Sequence, residues 1–376
     1  MYFRLNSECY FVRGKGLSAI YDLIDEKIYT LDPQETNILA SCEENNSVSE
    51  DERILRELKA LRLGNFYPNK IYVTKLRDRS FRESDVNPPE LNRAFLELNN
   101  ICKRDCWFCG YHGVKRSAGC IGCNKWKEKG ENLTTKRWME ILDELSKLEC
   151  QNIFLKGGDL TLSWDSTMDI LDHASGMFSN IYITLHQQSI SETIMDDLAN
   201  KSKLIIQTEN LKNTLSDDII YLLTLKPEER IKLENDNVEF KNKIIDFVID
   251  DAISLRKSKQ MAFMTADIST FCHKMKYHPC LGCTIAISFD GRFMPCPMMR
   301  NRSFGNVRNK PLHTIFETKM NDLNKFWMLN LDNIDKCKDC EFRYACGDCR
   351  ALEEKLTGKI DGKVTCSYDP LEGKWL

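Results

Sequence analysis

The sequence predicts an α/β fold in which a partial (β/α)6 barrel has a small unit before it and a cysteine-rich segment after it. Strand-like runs alternate with helical runs beyond residue 90, as parallel strands joined by crossover helices do. The residues before this region suggest short strands and two helices, and those after about Cys272 are rich in cysteine, glycine and proline. We therefore expect three domains, at residues 1–83, 84–270 and 271–376.

The barrel prediction rests on four clear strand patterns and several weaker ones. The clear strands are RAFLELN, NIFLK, IYITL and LIIQT, with helices at 135–148, after Trp164 and near Ser191. Weaker units follow as RIKLEN near Ile231, a helix at 240–256 and MAFMT from Met261. About six such units are too few to close a TIM barrel, so we expect a TIM-like barrel that stays open.

The first domain is predicted to be winged-helix-like. Its pattern gives strands at 10–13, 18–23 and 27–31, followed by helices at 33–41 and 50–61. The next stretch, residues 76–90, is charged and ends in paired prolines, which neither propagate a helix nor fit a central strand. We place the first domain boundary there.

Composition and charge limit the possible partners. The 376 residues are 42% apolar and 29% charged, with a formal net charge of −3, which favours neither nucleic acid nor an anionic membrane as a partner. The first residues lack a continuous apolar signal region, and no run approaches the length of a membrane span. We expect a cytoplasmic protein. Its seventeen cysteines then lie in a reducing compartment, where thiolates more often hold metal than form disulfides.

Three closely spaced cysteines follow the first strand of the barrel. Cys102, Cys106 and Cys109 come directly after RAFLELN, at the carboxyl end of a strand, where α/β barrels hold their catalytic residues. Three thiolates bind three irons of a cubane and leave one iron open, whereas structural zinc and electron-transfer clusters use four protein ligands. The C-x3-C-x2-C spacing, with Phe108 before the last cysteine, resembles the radical S-adenosylmethionine superfamily.

This resemblance implies that S-adenosylmethionine chelates the open iron of a [4Fe–4S] cluster and is cleaved to a 5′-deoxyadenosyl radical, which takes a hydrogen atom from the substrate. An electron donor such as flavodoxin or ferredoxin would supply the electron. The Gly-Gly-Glu-like motif of the superfamily is matched by Gly157, Gly158 and Asp159, with aspartate in place of the usual glutamate. Glycine permits close backbone approach to the cofactor, and a carboxylate suits its ammonium group.

Two further polar residues stand at the end of the strand LIIQT. Gln207 and Glu209 contact the ribose or the carboxylate of the cofactor in one interpretation. In the other they are ordinary polar groups at the end of a strand. The sequence alone leaves both interpretations open.

Eight cysteines of the last segment form two sets of four. The run FDGRFMPCP, followed by C-x2-C-x5-C-x2-C and one isolated cysteine, resembles the SPASM auxiliary-cluster domain of peptide-modifying radical enzymes. This resemblance implies two auxiliary [4Fe–4S] clusters, and so three clusters in the whole chain. One set is Cys280, Cys283, Cys296 and Cys349, and the other is Cys337, Cys340, Cys346 and Cys366.

The sequence also bears on what these auxiliary clusters do. The spacing from Cys346 to Cys349 is one residue shorter than the SPASM pattern, which displaces Cys349 slightly. Four cysteines for each cluster favour electron relay and structural support over direct binding of a substrate thiol, which needs an open iron. Zinc is the alternative metal for these sites.

Cys120 and Cys123 lie on a loop just past the first cluster, among basic side chains that lower a thiol pKa. Four roles stay open for them. They form a metal pair with Cys272 or His273, they control substrate access, one of them returns a hydrogen atom as in epimerases of the superfamily, or they lie on a surface loop without a chemical role. Cys42 and Cys150 are predicted to be buried thiols.

The first domain, SECYFVRGKGLSAIYDLIDEKIYTLDPQETNILAS, resembles the leader-peptide recognition element of peptide maturases, akin to the small peptide chaperone of pyrroloquinoline quinone biosynthesis. Such a unit offers a sheet edge to which a leader peptide adds as an extra strand. Together the segments resemble radical SAM/SPASM peptide maturases, particularly those of grasp-with-spasm systems. This implies a ribosomally synthesised precursor peptide as substrate.

The resemblance leaves the reaction open. Thioether formation is the first expectation, followed by carbon–carbon or carbon–oxygen crosslinking and then epimerisation. A rival enzyme is an anaerobic maturase that oxidises a serine or cysteine of a folded protein. A non-enzymatic alternative is an iron–sulfur electron carrier or a peptide-binding scaffold, which would not cleave S-adenosylmethionine.

Overall fold

The computed structural model describes residues 1–77, 91–210, 219–226, 229, 242–249 and 267–375. The strands in these ranges are β1 (Tyr2–Leu5), β2 (Cys9–Arg13), β3 (Ser18–Asp22), β4 (Lys27–Leu31), β5 (Gly64–Tyr67), β6 (Arg93–Asn99), β7 (Asn152–Gly157), β8 (Asn180–His186), β9 (Lys203–Thr208), β10 (Ile220–Leu225), β11 (Lys243–Phe247), β12 (Thr284–Ile287), β13 (Arg292–Met294), β14 (Gly305–Asn306), β15 (Tyr368–Asp369) and β16 (Lys374–Trp375). The α-helices are α1 (Pro33–Glu43), α2 (Arg53–Ala60), α3 (Thr135–Lys147), α4 (Trp164–Ala174), α5 (Glu192–Leu198), α6 (Ile268–Lys276), α7 (Leu312–Trp327) and α8 (Arg350–Thr357).

One large sheet joins the middle of the chain to its cysteine-rich end. Within the described ranges it has nine strands in the order β11-β10-β9-β8-β7-β6-β12-β13-β14. Strands β6 to β11 run parallel in chain order, and β12 adds parallel to β6 on the other side. The hairpin β12–β13 then continues the sheet in antiparallel fashion. The cysteine-rich segment is therefore an extension of the barrel sheet.

The four clear strands of the prediction are confirmed as β6, β7, β8 and β9, and the helix at 135–148 is confirmed as α3. Strand β10 was not predicted. The helix at 240–256 is wrong where the structure describes it, because residues 243–247 form β11 and pair with β10. The units near Ile231 and from Met261 lie outside the described residues, as does most of the predicted boundary at 76–90.

The error at β11 has a physical reason. Residues 240–256 have apolar residues at helical spacing, and short apolar runs fit a helix or a buried strand equally well. Parallel pairing with β10 places the side chain of Asp246 in a fully buried position opposite Thr224. The backbone pairing with β10 and the buried ion pair between Asp246 and Arg116 outweigh the local preference for a helix.

The two faces of the barrel strands differ in chemistry. Ala94, Leu96 and Leu98 of β6 pack in the main core with residues of α3, α4 and α7. Successive strand side chains point to opposite faces, so Glu97 and Asn99 lie on the other side. Later strands add further buried polar residues to this second face, namely Lys156, Thr184, His186, Gln207, Thr224 and Asp246. Ligands of parallel α/β sheets bind at the carboxyl ends of such strands.

The N-terminal elements match their predictions and include two additional strands. Strands β2, β3 and β4 form an antiparallel sheet, and β1 pairs with β5. Helix α1 begins with a capping box, in which Asp32 accepts from the backbone of Glu35 at 2.9 Å and Glu35 accepts from the backbone of Asp32 at 2.9 Å. The winged-helix-like arrangement stays a prediction.

The N-terminal sheet packs on the cysteine-rich segment through aromatic rings. Phe271 of α6 lies 4.7, 5.1 and 5.1 Å, between ring centroids, from Tyr10, Tyr21 and Tyr344. The Tyr21 hydroxyl also donates to the carbonyl oxygen of Glu341 over 2.8 Å. Aromatic pairs at these distances stabilise beyond the area that they bury. Phe271 belongs to helix α6, and this helix also contains the predicted domain boundary between residues 270 and 271.

Among the described helices, none combines the length and the apolar character needed to cross a lipid bilayer.

We expect Phe271→Ala to lower the free energy of unfolding by about 3–5 kcal/mol, because a fully buried ring is removed from this contact. Phe271→Leu keeps most of the apolar volume and should cost clearly less. The midpoints of thermal unfolding of the two full-length variants measure the difference. An unchanged midpoint in Phe271→Ala would contradict the described packing.

Candidate functional site

The turn after β7 lies against the loop after β6. A Cβ atom added at Gly158 would stand 2.3 Å from the carbonyl oxygen of Ile101, and one at Gly157 would stand 2.6 Å from that of Asn99. The backbone amide of Asp159 donates to the carbonyl oxygen of Ile101 over 2.6 Å. These contacts require glycine at both positions. They bring the Gly-Gly-Asp turn beside the loop that carries the first three cysteines.

Asp159 is held by several donors. It pairs with Arg104 and accepts from the hydroxyls of Thr161 at 2.7 Å and Ser189 at 3.1 Å. Burial would raise the pKa of Asp159, but the hydrogen bonds from Thr161 and Arg104 lower it overall. The carboxylate is therefore anionic and suits a cationic group. An ammonium group bound here would share Asp159 with Arg104 or displace it.

Cys102, Cys106 and Cys109 lie close together on one loop. Burial, together with the charges of Cys102 and Cys109, raises the pKa of Cys106 to about 11. Backbone amides point at two of the sulfurs, from Arg104 to Cys102 at 3.4 Å and from Lys125 to Cys109 at 3.3 Å. Amide donors of this kind stabilise the thiolates and sulfides of iron–sulfur clusters. The loop thus fits the predicted three-cysteine cluster.

Aromatic side chains lie beside this loop. Phe108 is buried, with its ring 6.4 Å from that of His186 in a stacked orientation and the guanidinium of Arg116 5.0 Å away. Trp107 donates its indole hydrogen to Glu209 over 2.5 Å. Glu209 therefore lies near the cysteine loop.

His186 was missed at the sequence level. It ends β8, is 8% exposed, and its Nε2 atom has no hydrogen-bond partner within the described part of the chain. Burial and the nearby Arg104 lower its pKa, so the ring is neutral. A buried polar atom without a partner costs free energy unless a ligand satisfies it. The signal in the sequence is its position on the polar face of the barrel at a strand end.

Gln207 is occupied elsewhere. Its side-chain oxygen accepts from Arg116 at 2.8 Å, and its nitrogen donates to Thr224. Both ends of the amide are therefore used in a buried network. This arrangement favours the interpretation of Gln207 as a polar group at a strand end over a cofactor contact.

The loop after the three cysteines is held by a buried ion pair. Arg116 donates to a carboxylate oxygen of Asp246 at 2.5 Å, and both side chains are fully buried. The other oxygen of Asp246 accepts from the amide of Ala118 at 2.8 Å, and the amide of Ser117 donates to the carbonyl oxygen of Phe247 at 2.9 Å. This contact fixes the loop against the end of β11.

The second predicted set of cysteines shares one cavity. Cys337, Cys340, Cys346 and Cys366 all line it. Burial raises the pKa of Cys337 to about 12 and that of Cys346 to about 11, with Lys363 opposing the rise in both. Four thiols around one space fit the predicted [4Fe–4S] cluster.

Three of the four cysteines in the other predicted set, which includes Cys283, line one cavity. Cys280, Cys296 and Cys349 line a common cavity, together with Cys120. Cys283 is not part of this lining and packs in the main core. Cys272 and His273, the other partners considered for Cys120, do not line the cavity as the structure describes it.

Cys123 has different neighbours from Cys120. Burial, with a contribution from the cysteines of the first loop, raises its pKa to about 12, and Arg116 opposes the rise. Cys120 lines the cavity described above, and Cys123 is not part of that lining.

His278 and Asp348 form a hydrogen-bonded pair that links the backbone next to Cys280 with the backbone next to Cys349. One ring nitrogen of His278 accepts from the amides of Cys280 and Leu281 at 3.0 and 2.9 Å, and the other bonds to Asp348 at 2.9 Å. Burial would raise the pKa of Asp348, but Lys363 and hydrogen bonds from His278 and Arg350 hold it well below its usual range. The carboxylate is thus fixed beside Cys349.

The geometry also bears on zinc. In the residues that the structure covers, no group of three or more Cys, His, Asp or Glu side chains closes on a single ion position, as a mononuclear zinc site requires. The thiolates of a cubane each bind a different iron and so stand further apart.

The carboxy-terminal segment matches a known domain family. Residues 279–341 match the SPASM family, an iron–sulfur cluster-binding domain. The match includes Cys280, Cys283, Cys296, Cys337 and Cys340, and it confirms the predicted SPASM segment. No curated protein matches the chain.

Two kinds of solved structure are similar in fold. The crystal structure of Streptococcus suis SuiB bound to the precursor peptide SuiA is 14% identical, covers 96% of this chain and 99% of that chain, and has a TM-score of 0.46. The crystal structure of BtrN in complex with AdoMet and 2-DOIA is 13% identical, covers 69% of this chain and 94% of that chain, and has a TM-score of 0.39. At such identities and TM-scores, these similarities carry no argument about the activity of this chain.

We expect Arg116→Met to lower stability by about 3–5 kcal/mol, because the buried carboxylate of Asp246 would lose its cation. The double variant Arg116→Met with Asp246→Asn removes both charges and keeps an acceptor for Ala118, so it should regain most of this loss. Thermal unfolding of both full-length variants provides the measurement. Equal midpoints for the single and double variants would contradict the role of the ion pair.

Proposed function

We propose that this protein is a radical S-adenosylmethionine enzyme that modifies a ribosomally synthesised precursor peptide. The observation that carries the proposal is the close packing of the turn 157–159 on the loop 100–109, which puts a carboxylate beside three cysteines at the carboxyl ends of β6 and β7. The SPASM match at residues 279–341 supports the auxiliary part of the proposal.

The chain offers specific groups for the cofactor. Asp159 would hold its ammonium group, with Arg104 beside the carboxylate, and His186 offers a neutral ring nitrogen without a partner among the described residues. Phe108 and Trp107 form an apolar wall that excludes water from the cluster loop. When bound to a reduced [4Fe–4S] cluster, S-adenosylmethionine supplies hydrogen-abstracting radical chemistry.

The two cysteine cavities of the SPASM segment fit an electron-transfer role. Each is lined by four thiols, so each can hold a cluster whose irons all have protein ligands. We propose that they relay electrons, and that a donor such as flavodoxin or ferredoxin reduces the first cluster.

The N-terminal sheet fits recognition of a peptide. In the described residues, β4 pairs with β3 alone and so forms an edge of its sheet. Thr30 is exposed there and Tyr29 is half-buried. A leader peptide would add to this edge by backbone hydrogen bonds, with side-chain pockets giving specificity. An enzyme that oxidises a folded protein needs no such unit, which favours a peptide substrate.

Within this class we propose thioether formation first and other crosslinks second, on the strength of the family resemblance. A crosslink removes two hydrogen atoms from the peptide, whereas epimerisation leaves its mass unchanged. Mass spectrometry of a short peptide encoded nearby and co-expressed with the enzyme separates these products. Chiral analysis of the hydrolysed amino acids distinguishes an epimerised peptide from an unmodified one, and a peptide unchanged in both mass and stereochemistry under anaerobic conditions would count against the proposed substrate class.

Cys106→Ala should abolish formation of 5′-deoxyadenosine, because the cluster that binds the cofactor loses one of its three thiolates. The assay uses the anaerobically reconstituted full chain with dithionite and S-adenosylmethionine. Cys150→Ala is the matched control, since Cys150 is a buried thiol in the main core and should leave the product unchanged. Cleavage retained in Cys106→Ala would refute the assignment of the first cluster.

Binding of the precursor peptide should slow hydrogen exchange of the backbone amides of β4, because an added strand takes up their open hydrogen-bonding positions. The central strand β3 is already paired on both sides and serves as the internal control. Mass spectrometry of the exchanged full chain, with and without the peptide, gives the result. Protection elsewhere with none at β4 would exclude this edge as the binding site.

A further inference from the structure

The cavity lined by Cys280, Cys296 and Cys349 has a fourth thiol from another part of the chain. Cys120, in the loop between β6 and α3, lines the same cavity. We propose that Cys120 takes the place predicted for Cys283 as the fourth protein ligand of the auxiliary cluster in this cavity. The proposal rests on the iron–sulfur match at 279–341 and on the cavity, and does not require cleavage of S-adenosylmethionine.

The four thiols come from three separate parts of the chain and meet in this cavity. Cys280 precedes β12, Cys296 follows β13, Cys349 precedes α8, and Cys120 lies on the loop after the first three cysteines. A [4Fe–4S] cluster with a protein ligand on every iron needs four thiolates, which is the number of cysteines that line this cavity.

Hydrogen bonds hold the backbone at Cys120 in place, as a residue that ligates a metal cluster requires. The ammonium group of Lys156, a fully buried residue of β7, donates to the carbonyl oxygens of Cys120 at 2.7 Å and Gly119 at 3.2 Å. The side chain of Asn124 donates to the carbonyl oxygen of Gly119 at 2.8 Å. With the Arg116 ion pair at its start, the loop is held on both sides of Cys120.

Cys283 has a different environment. It lies just before β12 with a φ of 51°, and its side chain packs in the main core with the helices that cover the barrel. Its carbonyl oxygen accepts from the amide of Asn92 at 2.8 Å, which fixes the turn. Cys283 therefore serves the packing of β12 in this arrangement.

The charges around the cavity fit an anionic ligand. Arg116 and Lys355 both line it. A cubane with four thiolates is an anion, and buried cations offset its charge. Arg116 is already paired with Asp246, so the positive charge comes from Lys355 in the lining and from Lys156 beside Cys120.

Ligation by Cys120 has two consequences. The cluster has a protein ligand on every iron, so it has no open site for a substrate thiol and is confined to electron transfer and structural support. The loop that leaves Cys109 also ends at the auxiliary cluster, so one short stretch of backbone connects the two sites.

The experiment isolates the auxiliary clusters by replacing Cys102, Cys106 and Cys109 with alanine in the full chain. This background should bind about eight irons after anaerobic reconstitution. Adding Cys120→Ala should lower the count to about four, or keep the irons with a Mössbauer and electron paramagnetic resonance spectrum that changes when a small thiol is added. Adding Cys283→Ala should leave both the count and the spectrum unchanged.

Cys120→Ser provides a second test that does not depend on loss of the cluster. Serine can ligate iron through oxygen, so the irons should remain while the spectrum of the reduced cluster shifts relative to the background. The proposal is overturned if Cys120→Ala keeps the irons with an unchanged, thiol-insensitive spectrum. It is equally overturned if Cys283→Ala, and not Cys120→Ala, shows the loss or the thiol response.

Discussion

The buried contact between Arg116 and Asp246 is the interaction on which the site depends. It joins the loop after the first three cysteines to β11, the last of the consecutive parallel strands. Neither charge is tolerable alone in the interior, so the loop cannot leave this position without exposing the pair or stranding one partner. Because the same loop carries Cys120 and Cys123, this single contact helps to fix both thiols.

The cysteine-rich segment shows why metal is needed beyond the sheet. After β14 it contains the long helix α7, the short helix α8, the two-residue strands β15 and β16 and irregular turns, and the apolar cluster around Cys337 is small. Without a metal, several buried cysteines in one cavity would be unfavourable for folding. Their raised pKa values show that burial disfavours the thiolates, neighbouring thiolates repel one another, and neutral thiols form only weak hydrogen bonds. Binding energy from a cluster is folding energy for such a segment.

Much of the fold followed from pattern, and parts of the site did not. The pattern of apolar residues predicted the strand that leads to the first three cysteines. The short spacing of the later cysteines predicted the set of Cys337, Cys340, Cys346 and Cys366. Spacing could not give Cys120, because its partners lie more than a hundred residues away and only the folded sheet brings them together. Cys283 was assigned to the cluster by resemblance to the SPASM pattern, and such a resemblance does not show that its side chain packs in the main core. The role of His186 could not be predicted from its own strand, because the polar face to which it belongs is built from several strands.

The separation of the two auxiliary cavities is set by protein charge as well as by thiols. Cys346 and Cys349 are three residues apart, yet they line different cavities. Asp348 stands between them and binds His278 on one side and Lys363, which lines the second cavity, on the other. All of these groups are buried, so the carboxylate cannot exchange its partners for water. The shortened spacing between the two cysteines is thus accommodated because a buried aspartate holds each one toward its own cavity.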